Sequence, residues 1–233
     1  MLVLKRSEIE SAIDAAVALA DRHGFPLPPF ASWTREHWIE CAAELRVPLE
    51  RGLGWDVTDF GRGDFARTGL TLLTLRNGTL AEQTAGLGQT YAEKLLHVRV
   101  GQETPFHLHP RKTEDILNRG GGELVVELVH PDEQEASVRA LVNGAPHTIV
   151  PGERLRLGPG EGVQVPRGIR HRFWAEGAEV LGGEVSSVND DEGDNVFLVA
   201  SPRYPGIDED VPARRLLVGE YRSVLGAAST GAR

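Results

Sequence analysis

Apolar residues near the amino terminus recur at the three- and four-residue spacing of an amphipathic helix: Ile9, Ile13, Ala16, Val17 and Ala20. Ser7 followed by Glu10 fits a capping box at the start of this helix, and Gly24 stops the run. A proline-rich connector, GFPLPPFASW, interrupts the helical pattern, which resumes around Trp38. We therefore predict a helical segment over residues 1–50.

From about residue 69 the apolar pattern changes to that of short strands. The segment GLTLLTLRNG is typical of a strand, and several similar segments follow, separated by Gly, Pro, Asn or Asp. The dipeptides Asn77-Gly78 and Asn143-Gly144 are favoured at hairpin turns. Many short strands at this spacing predict a barrel or a sandwich, on which the amino-terminal helices would pack.

Composition narrows the class of protein. The 233 residues are 40% hydrophobic, which suits one sizeable β domain. A net charge of -9 argues against a general binder of nucleic acid or anionic membranes, because phosphate surfaces call for basic patches. Cys41 is the only cysteine, which excludes an intrachain disulfide and a Cys-rich zinc site. No apolar run reaches the roughly 18 residues of a membrane span, so we expect a cytoplasmic protein.

Two histidines one residue apart, in GQETPFHLHPRKTEDILNRGG, are the first candidates for chemistry. His107 and His109 would share one face of a strand, because residues i and i+2 project to the same side. Glu114 follows a proline-containing turn that can return its carboxylate to that face, and His171 opens a later strand. An isolated His-x-His pair usually arises by chance, but three imidazoles and a carboxylate together predict a site for Mn²⁺ or Fe²⁺.

The histidine-containing segments resemble the two signatures of the cupin fold. The residues that carry the resemblance are Gly101, His107, His109, Glu114, Gly121, Gly160, Pro166, Gly168 and His171. The second signature usually ends in an asparagine, where this chain has Ala175. The resemblance implies a mainly β chain: a cupin-type β-barrel (jelly-roll) over residues 51–225, with helices of residues 1–50 packed on it and a disordered tail over residues 226–233.

Further segments, including LPPFASW, LGWDVTDFGRGDF and YPGIDEDVPA, make the chain similar to the longer bacterial branch of the D-lyxose isomerase family. The similarity extends from about Lys5 to Tyr221. It implies a Mn²⁺-dependent aldose–ketose isomerase, usually a homodimer, that interconverts D-lyxose with D-xylulose and often D-mannose with D-fructose. The family's metal ligands fall here on His107, His109, Glu114 and His171.

The chemistry of such an isomerase assigns roles to two neighbouring residues. Moving a proton between C1 and C2 of a monosaccharide requires an acidified C–H bond and a stabilised cis-enediolate, and a metal bound to O1 and O2 supplies both. Glu114 is the candidate base. Lys112 is the candidate acid or electrostatic partner that would bind the substrate oxygens, although a solvated surface lysine fits the sequence equally well.

Three more polar residues are candidates for binding sugar hydroxyls: Lys94, Glu184 and Asp190. Glu184 lies on a return strand that can aim it into the cavity, whereas the inward or outward direction of Lys94 is open, and a surface position suits both residues as well. Asp190 belongs to an acidic run over residues 190–194. Such runs are usually solvated, and this one lacks the full spacing of a calcium motif.

Two other functions stay open. A cupin dioxygenase with Fe²⁺ would use the same four ligands, but an aromatic substrate would need a more apolar pocket than these polar candidates provide. A non-catalytic sugar-binding cupin is the third hypothesis. Such a protein could be a regulator that senses sugar and binds DNA, but the amino-terminal helices carry Glu8, Glu10 and Asp14, which would repel DNA phosphates. This hypothesis is therefore the weakest of the three.

Overall fold

The computed structural model describes residues 3–132, 137–191, 193–199 and 206–224; the predicted tail lies outside them. The helices are α1 (Arg6–Arg22), α2 (Arg35–Glu40), α3 (Arg46–Glu50) and α4 (Leu80–Ala85), with 3₁₀ helices at Pro29–Ser32 and Val218–Glu220. The strands are β1 (Leu4–Lys5), β2 (Gly54–Thr58), β3 (Leu70–Asn77), β4 (Tyr91–Val98), β5 (Thr104–Leu108), β6 (Glu114–Val129), β7 (Val138–Val142), β8 (Ala145–Ile149), β9 (Leu155–Leu157), β10 (Gly162–Val165), β11 (Arg170–Ser187), β12 (Val196–Phe197) and β13 (Ile207–Asp208). None of the helices in these ranges is long and apolar enough to span a membrane.

Eleven strands of the described residues form one antiparallel sheet. Its main path runs β2-β3-β4-β11-β6-β10-β7-β8, while β5 pairs with β11 and β12, and β9 pairs with β6. The long strands β6 and β11 lie side by side at the centre of this path. The mainly β, cupin-type fold predicted from the sequence is confirmed.

The sheet separates two apolar layers because successive side chains of a strand point to opposite faces. Leu72 and Leu96 belong to the inner core, which extends across β6, β10 and β11. Their neighbours Leu73 and Leu95 face outward and pack with Ile13 of α1 and its apolar face. Helix α1 therefore covers the outer side of the sheet, as predicted for the amino-terminal segment, and leaves its inner side to the site.

The start of α1 differs from the prediction. The helix begins at Arg6, and Ser7 is not its cap; the Ser7 N–H donates to the carboxylate of Asp210 at 2.9 Å. Glu10 accepts from the Arg214 and Arg215 backbone instead of closing a capping box. One orphan donor of the first turn, the Ser7 N–H, is thus satisfied by a distant segment, which sequence spacing does not reveal.

One predicted hairpin is confirmed and the other is wrong. Asn143 and Gly144 both have positive φ, 52° and 78°, and join β7 to β8 in a tight turn. At the other site, β3 ends at Asn77, and Thr79 begins α4 with a capping box that includes Glu82. Because a helix begins directly after the Asn-Gly dipeptide, β3 and β4 are joined by α4 and not by a two-residue turn.

A bulge in β11 decides which of its side chains face inward. The sequence suggested two strands here, but the structure joins them into one strand whose register against β6 shifts between Glu176 and Val180. His171 and Glu184 are an odd number of residues apart, so a regular strand would send them to opposite faces. A second shift lies between Leu181 and Gly182, so that six residue steps of β11 lie opposite five of β6. This net extra residue restores both side chains to the inner face.

Candidate active site

The four predicted metal ligands come together inside the sheet. His107 lies on β5, His109 follows it, Glu114 begins β6, and His171 lies on β11, where it pairs with His107. Their candidate ligand atoms all lie within 4.8 Å of one another, and all four residues are buried. The return of Glu114 to the histidine wall therefore takes place as the sequence spacing suggested.

The three imidazoles are oriented by backbone carbonyls. His107 Nδ1 lies 2.9 Å from the Pro105 carbonyl oxygen, His109 Nδ1 lies 2.6 Å from that of Asp194, and His171 Nδ1 lies 3.2 Å from that of Ile169. A proton on each Nδ1 leaves each Nε2 as a lone-pair donor, the arrangement that metal-binding histidines commonly use. The Nε2 atoms of His109 and His171 face the Glu114 carboxylate at 3.4 and 2.8 Å.

The charge states of this group suit a divalent ion. Burial lowers the pKa of His109 to about 4, helped by nearby Lys112, and burial also holds the pKa of His107 well below its ordinary value. Burial alone would raise the pKa of Glu114, but Lys112 and the histidines hold it well below the usual range. The neutral imidazoles of His107 and His109 therefore meet an ionised carboxylate at neutral pH, so these residues fit a bound metal.

Lys112 is buried beside this group, so it is not a solvated surface lysine. Its ammonium lies 2.8 Å from Glu114 Oε2 and 2.7 Å from Glu184 Oε1. Burial alone would lower the pKa of Lys112, but the two carboxylates raise it above its ordinary value. The result is a fixed positive charge between two carboxylates inside the cavity.

Glu184 and Lys94 face the same cavity from neighbouring strands. They are paired in register across β11 and β4, and Lys94 Nζ lies 3.5 Å from Glu184 Oε1. Lys94 also donates to the Asn189 side-chain oxygen at 2.6 Å. Burial would raise the pKa of Glu184, but Lys112 and Lys94 lower it, which keeps the carboxylate ionised. Both residues line the cavity, which decides the direction of Lys94 that the sequence left open.

Asp190 lies outside the cavity lining. Its carboxylate accepts from the Arg111 guanidinium at 2.7 Å and from the Gly193 N–H at 3.0 Å. The neighbouring Asp191 lines the cavity instead, with a carboxylate oxygen 3.7 Å from Lys94 Nζ. Sugar binding by Asp190 stays a prediction, and Asp191 is a lining residue that the composition of the acidic run could not single out.

An aromatic pair forms the apolar side of the cavity, and the sequence analysis missed it. The Phe197 ring stacks on that of His107 with centroids 5.6 Å apart, and Phe60 packs against Phe197 at 5.3 Å. Phe60 has a φ of 53°, uncommon for a bulky residue, in a turn closed by the Asp59 carboxylate. The cavity therefore joins a polar wall to an apolar one.

Known sugar isomerases are similar to this chain over nearly its whole length. The sequence model described as D-lyxose isomerase matches residues 4–221. A protein of Escherichia coli O157:H7 named D-lyxose/D-mannose isomerase is 46% identical, with 94% of this chain and 99% of the relative covered. A protein of the same name from Serratia proteamaculans is 43% identical over 94% of this chain and 98% of its own.

Solved structures show the same fold at low sequence identity. L-ribose isomerase of Acinetobacter sp. DL28 in complex with L-ribose has a TM-score of 0.58 at 17% identity, with 89% of this chain and 99% of that chain covered. L-ribose isomerase of Cellulomonas parahominis with L-psicose has a TM-score of 0.54 at 19% identity, covering 89% and 100%. The shared fold is that of the sheet and helical layer described above.

Proposed function

Because this chain belongs to the D-lyxose isomerase family, we propose that it interconverts D-lyxose with D-xylulose and D-mannose with D-fructose. The observation that carries this proposal is the buried ammonium of Lys112 between Glu114 and Glu184, next to the three histidines of the site. An aldose–ketose isomerase must move a proton between adjacent carbons, and a buried acid beside ionised carboxylates provides the groups for that transfer.

The four buried residues would hold the cofactor, for which we propose Mn²⁺. The mixed nitrogen and oxygen donors are His107, His109, Glu114 and His171, and they favour a six-coordinate ion over a thiophilic one. A divalent ion held there would act as a Lewis acid on adjacent oxygens of an open-chain sugar. Replacement of Glu114 by Gln should therefore lower both metal content and turnover.

The chain's own groups would then carry the proton. The Lys112 ammonium is placed to donate a hydrogen bond to a sugar oxygen and to stabilise negative charge as it develops. Glu114 is the base assigned from the sequence, and Glu184 is a second ionised carboxylate on the other side of Lys112. A Glu184→Gln variant separates the two, since it should keep its metal while losing turnover if Glu184 takes the proton.

Sugar hydroxyls would meet the polar wall of the cavity. Lys94 and Lys112 offer donors, Glu184 offers an acceptor, and Asp190 is the remaining candidate from the sequence. The apolar wall of Phe60 and Phe197 would face the carbon chain of the sugar. This amphipathic lining suits a polyhydroxylated substrate, whose C–H faces are apolar and whose hydroxyls need partners.

The test is to incubate the purified protein and Mn²⁺ with a panel of aldoses and to measure ketose formation. Turnover of D-lyxose or D-mannose supports the proposal, and no ketose from any aldose would refute it. The other candidate, a cupin dioxygenase, depends on the same ligand set, and oxygen uptake with Fe²⁺ in place of ketose formation would favour it.

We further infer a homodimer that works in the cytoplasm. Strand β8 lies at one end of the sheet path, and most of its residues are exposed, so its edge is open to pair with a second copy. The single cysteine, Cys41, is free, which suits a reducing compartment.

A further inference from the structure

One residue of the acidic run is buried and points away from solvent. The sequence predicted a solvated run over residues 190–194, of which Glu192 lies outside the described residues. Asp194 is only 3% exposed, so the prediction is wrong at this position. A carboxylate at this depth needs partners for its oxygens, since an unpaired buried charge is costly.

Asp194 makes its hydrogen bonds to the turn that separates the two ligand groups. Its Oδ1 accepts from the Arg111 backbone N–H at 2.8 Å, and its Oδ2 accepts from the Lys112 backbone N–H at 3.0 Å. The Arg111 side chain adds a long contact of 3.4 Å from Nε. The two carboxylate oxygens thus accept hydrogen bonds from two consecutive backbone N–H groups in the turn before Glu114.

The backbone of the same residue contacts a candidate metal ligand. The carbonyl oxygen of Asp194 lies 2.6 Å from Nδ1 of His109, and its own N–H donates to the Asp190 carbonyl at 3.0 Å. On the opposite side, the His109 carbonyl accepts from the Gly168 N–H at 2.7 Å. Asp194 therefore links the orientation of one imidazole to the position of the turn that carries Lys112.

We infer that Asp194 is a positioning residue that fixes the His109 ring and the Lys112 ammonium relative to each other. This inference rests on the proposed function for its effect on turnover, but its effect on metal binding is independent of any sugar. Asp194 does not line the cavity, so it acts through the two groups that it holds. Small displacements of such groups can slow a reaction about 100-fold, because proton transfer needs aligned partners.

Asp194→Asn is the sharpest variant. An asparagine side chain has one acceptor oxygen, so it can bind only one of the Arg111 and Lys112 N–H groups, and its amide would place a donor against the other. The turn must then shift, and the Asp194 carbonyl that orients His109 shifts with it. Outer-shell partners of metal ligands typically change affinity by about 10–100-fold when they are replaced.

Asp210→Asn is the matched control. Asp210 also accepts hydrogen bonds from a backbone N–H, that of Ser7 at 2.9 Å, and from the Ser7 hydroxyl at 2.6 Å. These contacts are made to the first turn of α1 and not to the turn before Glu114. The same chemical change there should leave Mn²⁺ affinity and kcat at their original values. Both variants are compared by circular dichroism and thermal melting before any binding is measured.

The experiment measures Mn²⁺ affinity without sugar, by electron paramagnetic resonance of free Mn²⁺, and then kcat and KM at saturating Mn²⁺. Folded Asp194→Asn should bind Mn²⁺ about 10–100-fold more weakly and show a lower kcat with little change in KM. Original affinity and kcat in the folded variant, or an equal loss in Asp210→Asn, would overturn the inference. If Asp194→Asn fails to fold, Asp194→Ser replaces it, and failure of both to fold overturns a positioning role in favour of a purely structural one.

If the original protein turns over no sugar, the proposed function fails, but the affinity measurement still tests Asp194. A weaker Mn²⁺ complex in folded Asp194→Asn would then support the link to His109 on its own. An unchanged complex would reject that link, whatever reaction the site performs.

Discussion

Replacing Lys112 by Met should destabilise the metal-free protein strongly, because it removes the cation between two buried carboxylates. The ammonium lies 2.8 Å from Glu114 and 2.7 Å from Glu184, and its side chain is only 2% exposed. Methionine keeps the apolar stem but leaves the two carboxylates facing each other without the cation that separates them. Removing one member of a buried ion pair typically costs about 3–5 kcal/mol, and we expect a loss of this size in the free energy of unfolding.

The loss should depend on pH. In the original protein the folded-state pKa of Glu184 is lowered, because Lys112 and Lys94 outweigh burial, so its contribution to stability is present above the unfolded pKa and fades as pH falls. Without Lys112, burial and Glu114 should raise that folded-state pKa, which makes the ionised form unfavourable at neutral pH. The difference in free energy of unfolding between the two proteins should therefore be largest at neutral pH. It should shrink as the pH falls toward 4.5, the ordinary pKa of a glutamate.

The assay is urea unfolding followed by circular dichroism at several pH values, with a chelator present. The double variant Lys112→Met/Glu184→Gln should recover part of the loss at neutral pH, because it removes one of the facing charges. Arg46→Met is the control, since the Arg46–Glu50 pair is exposed and such pairs contribute about 0.2–1 kcal/mol. A loss in Lys112→Met no larger than this control, or one that does not vary with pH, would refute the reasoning.

His109→Ala should lose both bound metal and turnover; full metal occupancy by elemental analysis would show that the ligand set is wrong. Turnover of D-lyxose or D-mannose in D₂O should place solvent deuterium at C1 of the ketose, because a carboxylate base exchanges its proton with water. Nuclear magnetic resonance of the product detects this label, and its complete absence over many turnovers counts against the proton route unless the base is shielded from water. Sedimentation at micromolar concentration should give twice the single-chain mass of 25.4 kDa; a species near that mass contradicts the homodimer.

The clustering of the candidate metal ligands was predictable because its geometry is mostly local. His107 and His109 share a face through the two-residue period of a strand, and Glu114 returns to them after a short turn. His171 required the second cupin signature, since nothing local connects it to the first. The inner position of Lys112 was undecided in the sequence, because a lysine next to a turn is more often solvated than buried between carboxylates.

Contacts between segments that are distant in the sequence could not be predicted from local patterns. Glu184 faces inward only because the register of β11 against β6 shifts by one residue between Glu176 and Gly182, and no residue spacing in that segment indicates the shift. In the sequence, Asp194 was one of several acidic residues predicted to be solvated. Its hydrogen-bond partners lie more than 80 residues earlier in the chain, so the sequence did not indicate them. The Phe60 and Phe197 pair likewise joins segments far apart in sequence.

The closure of the chain's two ends bears on the order in which the protein is assembled. Strand β1 pairs in parallel with β13, and Arg6 lies fully buried between Glu209 and Glu220, 203 and 214 residues later. Contacts of such high sequence separation close very long loops and form slowly. During synthesis, α1 is made long before these two carboxylates. The buried ion pairs that anchor α1 therefore form only after the segment of Glu209 and Glu220 has been made.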